Sequence, residues 1–339
     1  MKNPSTRLSS LLLSGVLLSS ASFLSASEAV TVDNFVNAET ELTMQRYVDQ
    51  GAFGKFFHMR QPTPIDKQDV IRMNRDTLYS MGVFDLTQPV TITAPDSGER
   101  FMSMMLVNGE HSIPAATYKA GDYTLTQEEV GSRYVFVAFR TFVDSTDPSD
   151  IKKAQQLQDK ISVKQSDPGK FNIVDWDEKS LHTVRDAINV LANTKTDTSG
   201  YFGDKDKINP IQHLLGTAFG WGGNPKEDAI YVNATPTKND GKTPHSLTVK
   251  EVPVDGFWSL TVYDGKGFMQ KNEQDSYSFN SVSSEPNKDG SVTLNFGGDP
   301  KSTNYLPITK DWNYIVRLYQ PKKEILDGTW EFPKAEPTK

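Results

Sequence analysis

A chain of 339 residues with a formal net charge of −7 and no cysteine excludes thiol nucleophiles, thiolate zinc sites, iron–sulfur clusters and disulfides. Its acid excess repels phosphate backbones and anionic membranes, so nucleic acid is a poor partner. The core alone must hold the fold, and a length of this order usually spans two domains.

The first residues have the order of a secretory signal. Lys2 and Arg7 precede an uncharged, small and apolar stretch from Leu8 to Leu24, followed by Ser25, Ala26 and Ser27 before the first acid, Glu28. A basic start, an apolar middle and a small-residue zone predict export with cleavage near Ala26. Serines and Gly15 make the stretch too weakly apolar for a stable span, and without cysteine there is no lipid attachment site, so no membrane anchor is expected after cleavage. Loss of residues 1–26 leaves 34 basic against 43 acidic side chains, a net charge of −9, on a periplasmic or secreted protein.

Asp33 to Gln50 reads as a helix stopped by Gly51, and Pro62 and Pro64 end helical chemistry. Strand patterns follow at Val90–Ala94, Phe101–Val107 and Tyr134–Val143, with turns at Pro95–Gly98 and around Gly121-Asp122. A helical insertion is predicted at about 147–217. Asp147-Pro148 caps its first helix, Asp175 with Glu178 its second, and Asn209-Pro210 its third. Six strands then read at Ala229–Ala234, Ser246–Val252, Phe257–Tyr263, Tyr277–Val282, Ser291–Phe296 and Trp312–Tyr319, and the tail after Gly328 reads as loose. The expected fold is mainly β with helical insertions: two β-sandwich-like antiparallel domains, 27–210 and 211–339, after the signal.

No nucleophile elbow, Walker loop, zinc-helix motif or dinucleotide fingerprint occurs, so no cofactor is expected. Gly220-Trp221-Gly222-Gly223 reads as a turn between domains. Of the five histidines, His111 is the best placed for a metal, at a strand end after Asn108-Gly109-Glu110; a structural role is the commoner one for such residues. Asp204, Asp206 and Asn209 lack the glycine and the bidentate glutamate of a calcium loop. Two segments are polar where packing alone rarely asks for it. One is Asn74-Arg75-Asp76-Thr77-Leu78-Tyr79-Ser80. The other is the C-terminal set Trp258, Tyr263, Asn272, Tyr277, Asn304, Tyr305, Arg317 and Tyr319, in which alternation puts Arg317 and Tyr319 on one strand face and Tyr314, Val316 and Leu318 on the other.

The same segments carry a resemblance. Val70 to Ser80, then Phe84-Asp85-Leu86, Pro89-Val90, Pro95-Asp96 and Arg100-Phe101, resemble the bacterial domain of unknown function DUF1254. Asp228 to Tyr231, Gly256 to Asp264, Asn272, Tyr277-Ser278, Asn304 to Pro307, Arg317-Leu318-Tyr319 and Asp327 to Trp330 resemble its C-terminal companion, DUF1214. The sequence departs from the pattern at Met73-Asn74-Arg75 and at Tyr305, with the polar members kept. The resemblance implies two β-rich domains in tandem, commonly exported, and no settled activity.

These readings point to a small polar or aromatic molecule bound or processed between the domains. Asn74, Asp76, Thr77 and Tyr79 would come from one side, and Trp258, Tyr263, Arg317 and Tyr319 from the other. Asp76 is the candidate general base and Arg317 the anion clamp. The competing readings are a non-enzymatic envelope interaction module, in which these residues brace turns, and a metal-dependent hydrolase built on His111. The sequence leaves the oligomeric state open, a homo-oligomer included.

Overall fold

The computed structural model describes residues 27–68, 71–195 and 198–338; the signal reading falls on residues 1–26, outside them. Elements run α1 (Phe35–Asp49), β1 (Phe57–His58), β2 (Thr77–Asp85), β3 (Val90–Ala94), β4 (Met102–Asn108), β5 (Gly121–Leu125), α2 (Gln127–Val130), β6 (Tyr134–Phe142), α3 (Pro148–Gln158), β7 (Ser162–Gln165), α4 (Glu178–Ala192) and α5 (Pro210–Gly220). After them come β8 (Ala229–Ala234), β9 (His245–Val249), β10 (Trp258–Tyr263), β11 (Ser278–Asn280), β12 (Val292–Phe296), β13 (Tyr305–Leu306), β14 (Asn313–Tyr319), α6 (Lys323–Leu326) and β15 (Glu336–Pro337). The fold is mainly β, as read from the sequence, and the pairings between these strands are antiparallel except β12 with β13.

Each half layers two sheets over a core. In the first, β1-β2-β6-β4 lies on β5-β3-β7, with Phe84, Val135, Val137 and Phe139 of one sheet meeting Val90, Ile92 and Leu125 of the other. In the second, β11-β10-β14-β8 lies on β13-β12-β9-β15, with Trp258, Leu260, Val316 and Leu318 against Leu247, Leu294 and Phe296. Burying each such side chain stabilises the fold by about 1.5–3 kcal/mol. Alternation along a strand sends the intervening residues to the opposite face, and those faces build the site below.

Several local readings need correction. The cap of α4 is Asp177, which accepts from Ser180 N, rather than Asp175. Asn34, not Asp33, precedes α1. The 147–217 insertion is not wholly helical, because Ser162–Gln165 pairs with β3. Gly121-Asp122 opens a strand instead of a turn. The C-terminal tail is docked: Phe332 and Ala335 are buried in the second core, Ala335 N donates to the Tyr314 hydroxyl at 3.0 Å, and β15 pairs with β9. Its Pro and Lys content hid the apolar residues that anchor it.

Candidate functional site

The two halves meet through the outer faces of β2-β6-β4 and β10-β14-β8. On the first face the register sets Tyr79 opposite Arg140, and Arg140 opposite Ser103. On the second, Asn280, Ser259, Arg317 and Tyr231 stand in one row across four strands. Each row sets an arginine among polar and aromatic side chains on the face turned away from its own core. Beside the first row, Met81, Val83, Met105 and Val107 are covered by α1 and Trp221. Beside the second, Phe257 and Tyr319 pack on Phe101 and Phe142 of the first half. The polar rows therefore lie at the seam where the helical layer ends and the second sandwich begins.

One part of the seam is a sealed brace. Asp76 (1% exposed) accepts from Asn280 Nδ2 at 3.2 Å across the interface. Arg317 (3% exposed) donates to the Arg72 carbonyl and the Tyr263 hydroxyl, both at 2.7 Å, and to Thr261 at 3.1 Å. Tyr263 in turn donates to the Met73 carbonyl at 2.7 Å. Burial raises the pKa of the Asp76 carboxyl, against the opposing pull of Arg317, the Asn280 and Ser259 side chains and Arg75. Among the described residues, its second oxygen and the Ser259 hydroxyl have no partner at hydrogen-bond geometry.

The other part opens to solvent. Tyr231 shares the inward face of Arg317 yet keeps 38% of its surface exposed. Arg140 lies behind it, with its guanidinium carbon 5.7 Å from the Tyr79 ring centre. It donates to the Gly222 carbonyl at 3.1 Å and to Met105 Sδ at 3.5 Å. Asn74 organises the near wall: its Oδ1 accepts from Asp76 N and Thr77 Oγ1, and its Nδ2 donates to the Tyr79 hydroxyl at 3.0 Å. Burial pushes the Tyr79 phenol up, but the Arg140 charge and the hydrogen bonds of Thr77 and Asn74 outweigh it, and the net shift is down.

Of the candidates read from the sequence, Asn74, Asp76, Thr77, Tyr79, Tyr263, Arg317 and Tyr319 converge here. Trp258 does not. It faces the second core beside Phe332, because it occupies the opposite alternation phase from Ser259, Thr261 and Tyr263. Tyr319 is a wall, stacked on Phe257 at 4.4 Å. Arg140, Tyr231 and Gly222 were missed. Arg140 stands in an unbroken strand pattern, where a lone charge inside Tyr134–Phe142 was the available signal.

His111 is structural. Gly222 N donates to its Nε2 at 2.9 Å, which leaves the proton on Nδ1 for the Thr217 hydroxyl at 2.8 Å. Thr217 passes its own proton to the His213 carbonyl. Both ring nitrogens are engaged, so no lone pair is free for a metal, and among the described residues no group of three or more His, Asp or Glu is placed to hold one. The glycine-dense turn is positioned by this ring: Gly222, at φ +73°, gives its N–H to His111 and its carbonyl to Arg140. A groove of about 170 Å³ lies apart from the seam, between Val232–Thr235, Tyr314, Val316 and Phe332–Lys334. It lacks converging polar groups and is a weaker candidate.

Residues 53–165 match the family described as a protein of unknown function (DUF1254), and residues 228–323 match that described as a protein of unknown function (DUF1214). No curated protein matches the chain. The crystal structure of the VPA0106 protein from Vibrio parahaemolyticus is similar in fold, with a TM-score of 0.69 and 18% identity over 91% of this chain and 98% of that one. A putative uncharacterized protein from Burkholderia cenocepacia matches at a TM-score of 0.49 and 12% identity, over 86% and 85% of the two chains.

Proposed function

We propose that this chain, which belongs to the family built of DUF1254 followed by DUF1214, is an exported protein that binds or processes a small polar or aromatic molecule in the seam between its two sandwiches. The observation that carries this is the meeting of the two polar rows. Arg140 and Tyr79 are cross-strand partners, and Tyr231 of the facing row is partly open to solvent within the electrostatic reach of both. Structural packing favours apolar residues at such positions, and a buried charge without a counter-ion costs stability, which makes a functional role the better account of it.

The Asp76–Arg317–Tyr263 group is the brace that holds the rows in register, so the bracing role and the binding role fall to neighbouring residues. In a reaction, the acidified Tyr79 phenol is the better-placed proton carrier, since Asp76 is sealed behind it.

A thermal-shift screen of small polar and aromatic molecules tests the reading. At least one chemical class is expected to raise the melting temperature in a dose-dependent way, and Tyr231→Trp, which fills the mouth, is expected to remove that rise. Binding unaffected by Tyr231→Trp would place the ligand elsewhere. Export rests on the order of residues 1–26. Protein recovered outside the cytoplasm should begin near residue 27, and an intact Met1 terminus would refute it.

A further inference from the structure

We propose that the seam takes the carboxylate of a small organic acid, with Arg140 as the anion-binding residue and the Tyr79 and Tyr231 hydroxyls flanking it. The inference rests on the binding reading above and specifies its ligand.

Donors outnumber acceptors around Arg140. Arginine stays protonated at any pH the protein meets, and its five N–H groups accept nothing. Arg140 is 9% exposed, and its partners are neutral: the Gly222 carbonyl, the Met105 sulfur and the Tyr79 ring. Arg60, Arg100, Arg133 and Arg185 each pair with a carboxylate, and Arg317 lies in the field of Asp76. Among the described residues, Arg140 makes no such ion pair. Its two hydrogen bonds leave further N–H groups of the fork for a ligand.

Both phenols are turned to donate. The Tyr79 oxygen accepts from Asn74 Nδ2 at 3.0 Å, and the Tyr231 oxygen accepts from Asn224 Nδ2 at 2.8 Å. The Asn74 amide cannot be flipped, because its oxygen already accepts two hydrogen bonds. With an amide donor on each oxygen, each phenolic proton is left to point at a further acceptor. A guanidinium with two phenol hydroxyls in its neighbourhood, none of the three hydrogen-bonded to a carboxylate among the described residues, offers positive charge and hydrogen-bond protons. A carboxylate matches the fork geometry of a guanidinium, and the ring walls of Tyr79, Tyr231 and Tyr319 suit a flat apolar body behind it.

Benzoate is the probe, with benzamide as its neutral isostere and sulfate as an inorganic anion, all at matched ionic strength. Benzoate is expected to raise the melting temperature in a dose-dependent way and to bind at least tenfold more tightly than benzamide or sulfate. Arg140→Met should weaken benzoate at least tenfold, and Arg140→Lys, which keeps the charge and loses the fork, several-fold. Tyr79→Phe, which removes one hydroxyl from a side chain outside the brace, should also weaken it several-fold, and it keeps the test open if Arg140→Met fails to fold. Equal binding of benzamide, or benzoate binding unchanged in Arg140→Lys and Tyr79→Phe, would overturn the proposal. Sulfate binding as tight as benzoate would overturn the organic-acid assignment. A rise with benzamide alone that Tyr231→Trp removes would overturn this inference and leave the binding reading standing; no rise with any probe would overturn the inference as well.

Discussion

Arg317→Met should lower stability by about 3–5 kcal/mol, while Asp76→Asn should raise it at pH 8. The first change removes every donor that meets the Arg72 carbonyl, Thr261 and Tyr263 from the Arg317 side. It also leaves Asp76 buried without its nearest cation, and breaking one partner of a buried charge network is costly in this range. The second change works in the opposite direction. Burial holds the Asp76 pKa above its unfolded value, so its contribution favours the fold below about pH 3.8 and is lost as pH rises through the folded pKa. An amide removes that loss, and its Nδ2 gains the unpartnered Ser259 hydroxyl as an acceptor. Urea denaturation of both variants at pH 8 and pH 4 is the measurement. A stability gain at pH 8 that shrinks toward pH 4 is expected for Asp76→Asn. Equal losses in both variants would mean that the Asp76 charge itself holds the domains together. If the gain appears, a carboxylate that costs stability sits next to the proposed binding site, the trade expected where function outweighs packing.

Acid should loosen the seam through His111. Burial and the neighbouring His213 hold its pKa at about 3, below the usual 6.5. Protonation would place a second N–H against the Gly222 N–H that Nε2 now accepts. The folded state therefore resists a proton that the unfolded chain takes up, and stability falls as pH drops from about 6.5 toward 3. By pH 4.5 the loss from this ring is about 2–3 kcal/mol, at 1.36 kcal/mol per pH unit. His213 and His58 are shifted the same way, mainly by burial, and Asp76 acts against them in the lower part of the window. The test is thus the difference between the wild type and His111→Gln. The variant should lose clearly less stability between pH 7.5 and 4.5. Parallel curves would remove His111 from the account. Because Gly222 also accepts from Arg140, weaker benzoate binding in acid is expected along with the lost stability.

The sequence by itself determined most of the strands and one wall of the seam. Alternation at Val90–Ala94, Ala229–Ala234 and Trp312–Tyr319 located strands to within a residue or so, since burying one face of a strand constrains every second position. Local chemistry also placed Asp147 and Asn209 at their helix starts, because a cap needs only its own next three residues. The polar run Asn74–Ser80 and the Arg317 strand were legible as unusual for the same reason: charge in an apolar pattern is visible without a fold. Alternation could not tell which face of β10 looks outward, and so Trp258 was grouped with Tyr263 although adjacent phases separate them. Only the tertiary structure decided that Asp76 and Asn280, 204 residues apart, share a hydrogen bond, and that Arg140 pairs with no carboxylate among the described residues. Partner identity depends on cross-strand register and on how two sandwiches abut, and both are set by contacts between distant segments that no local pattern encodes.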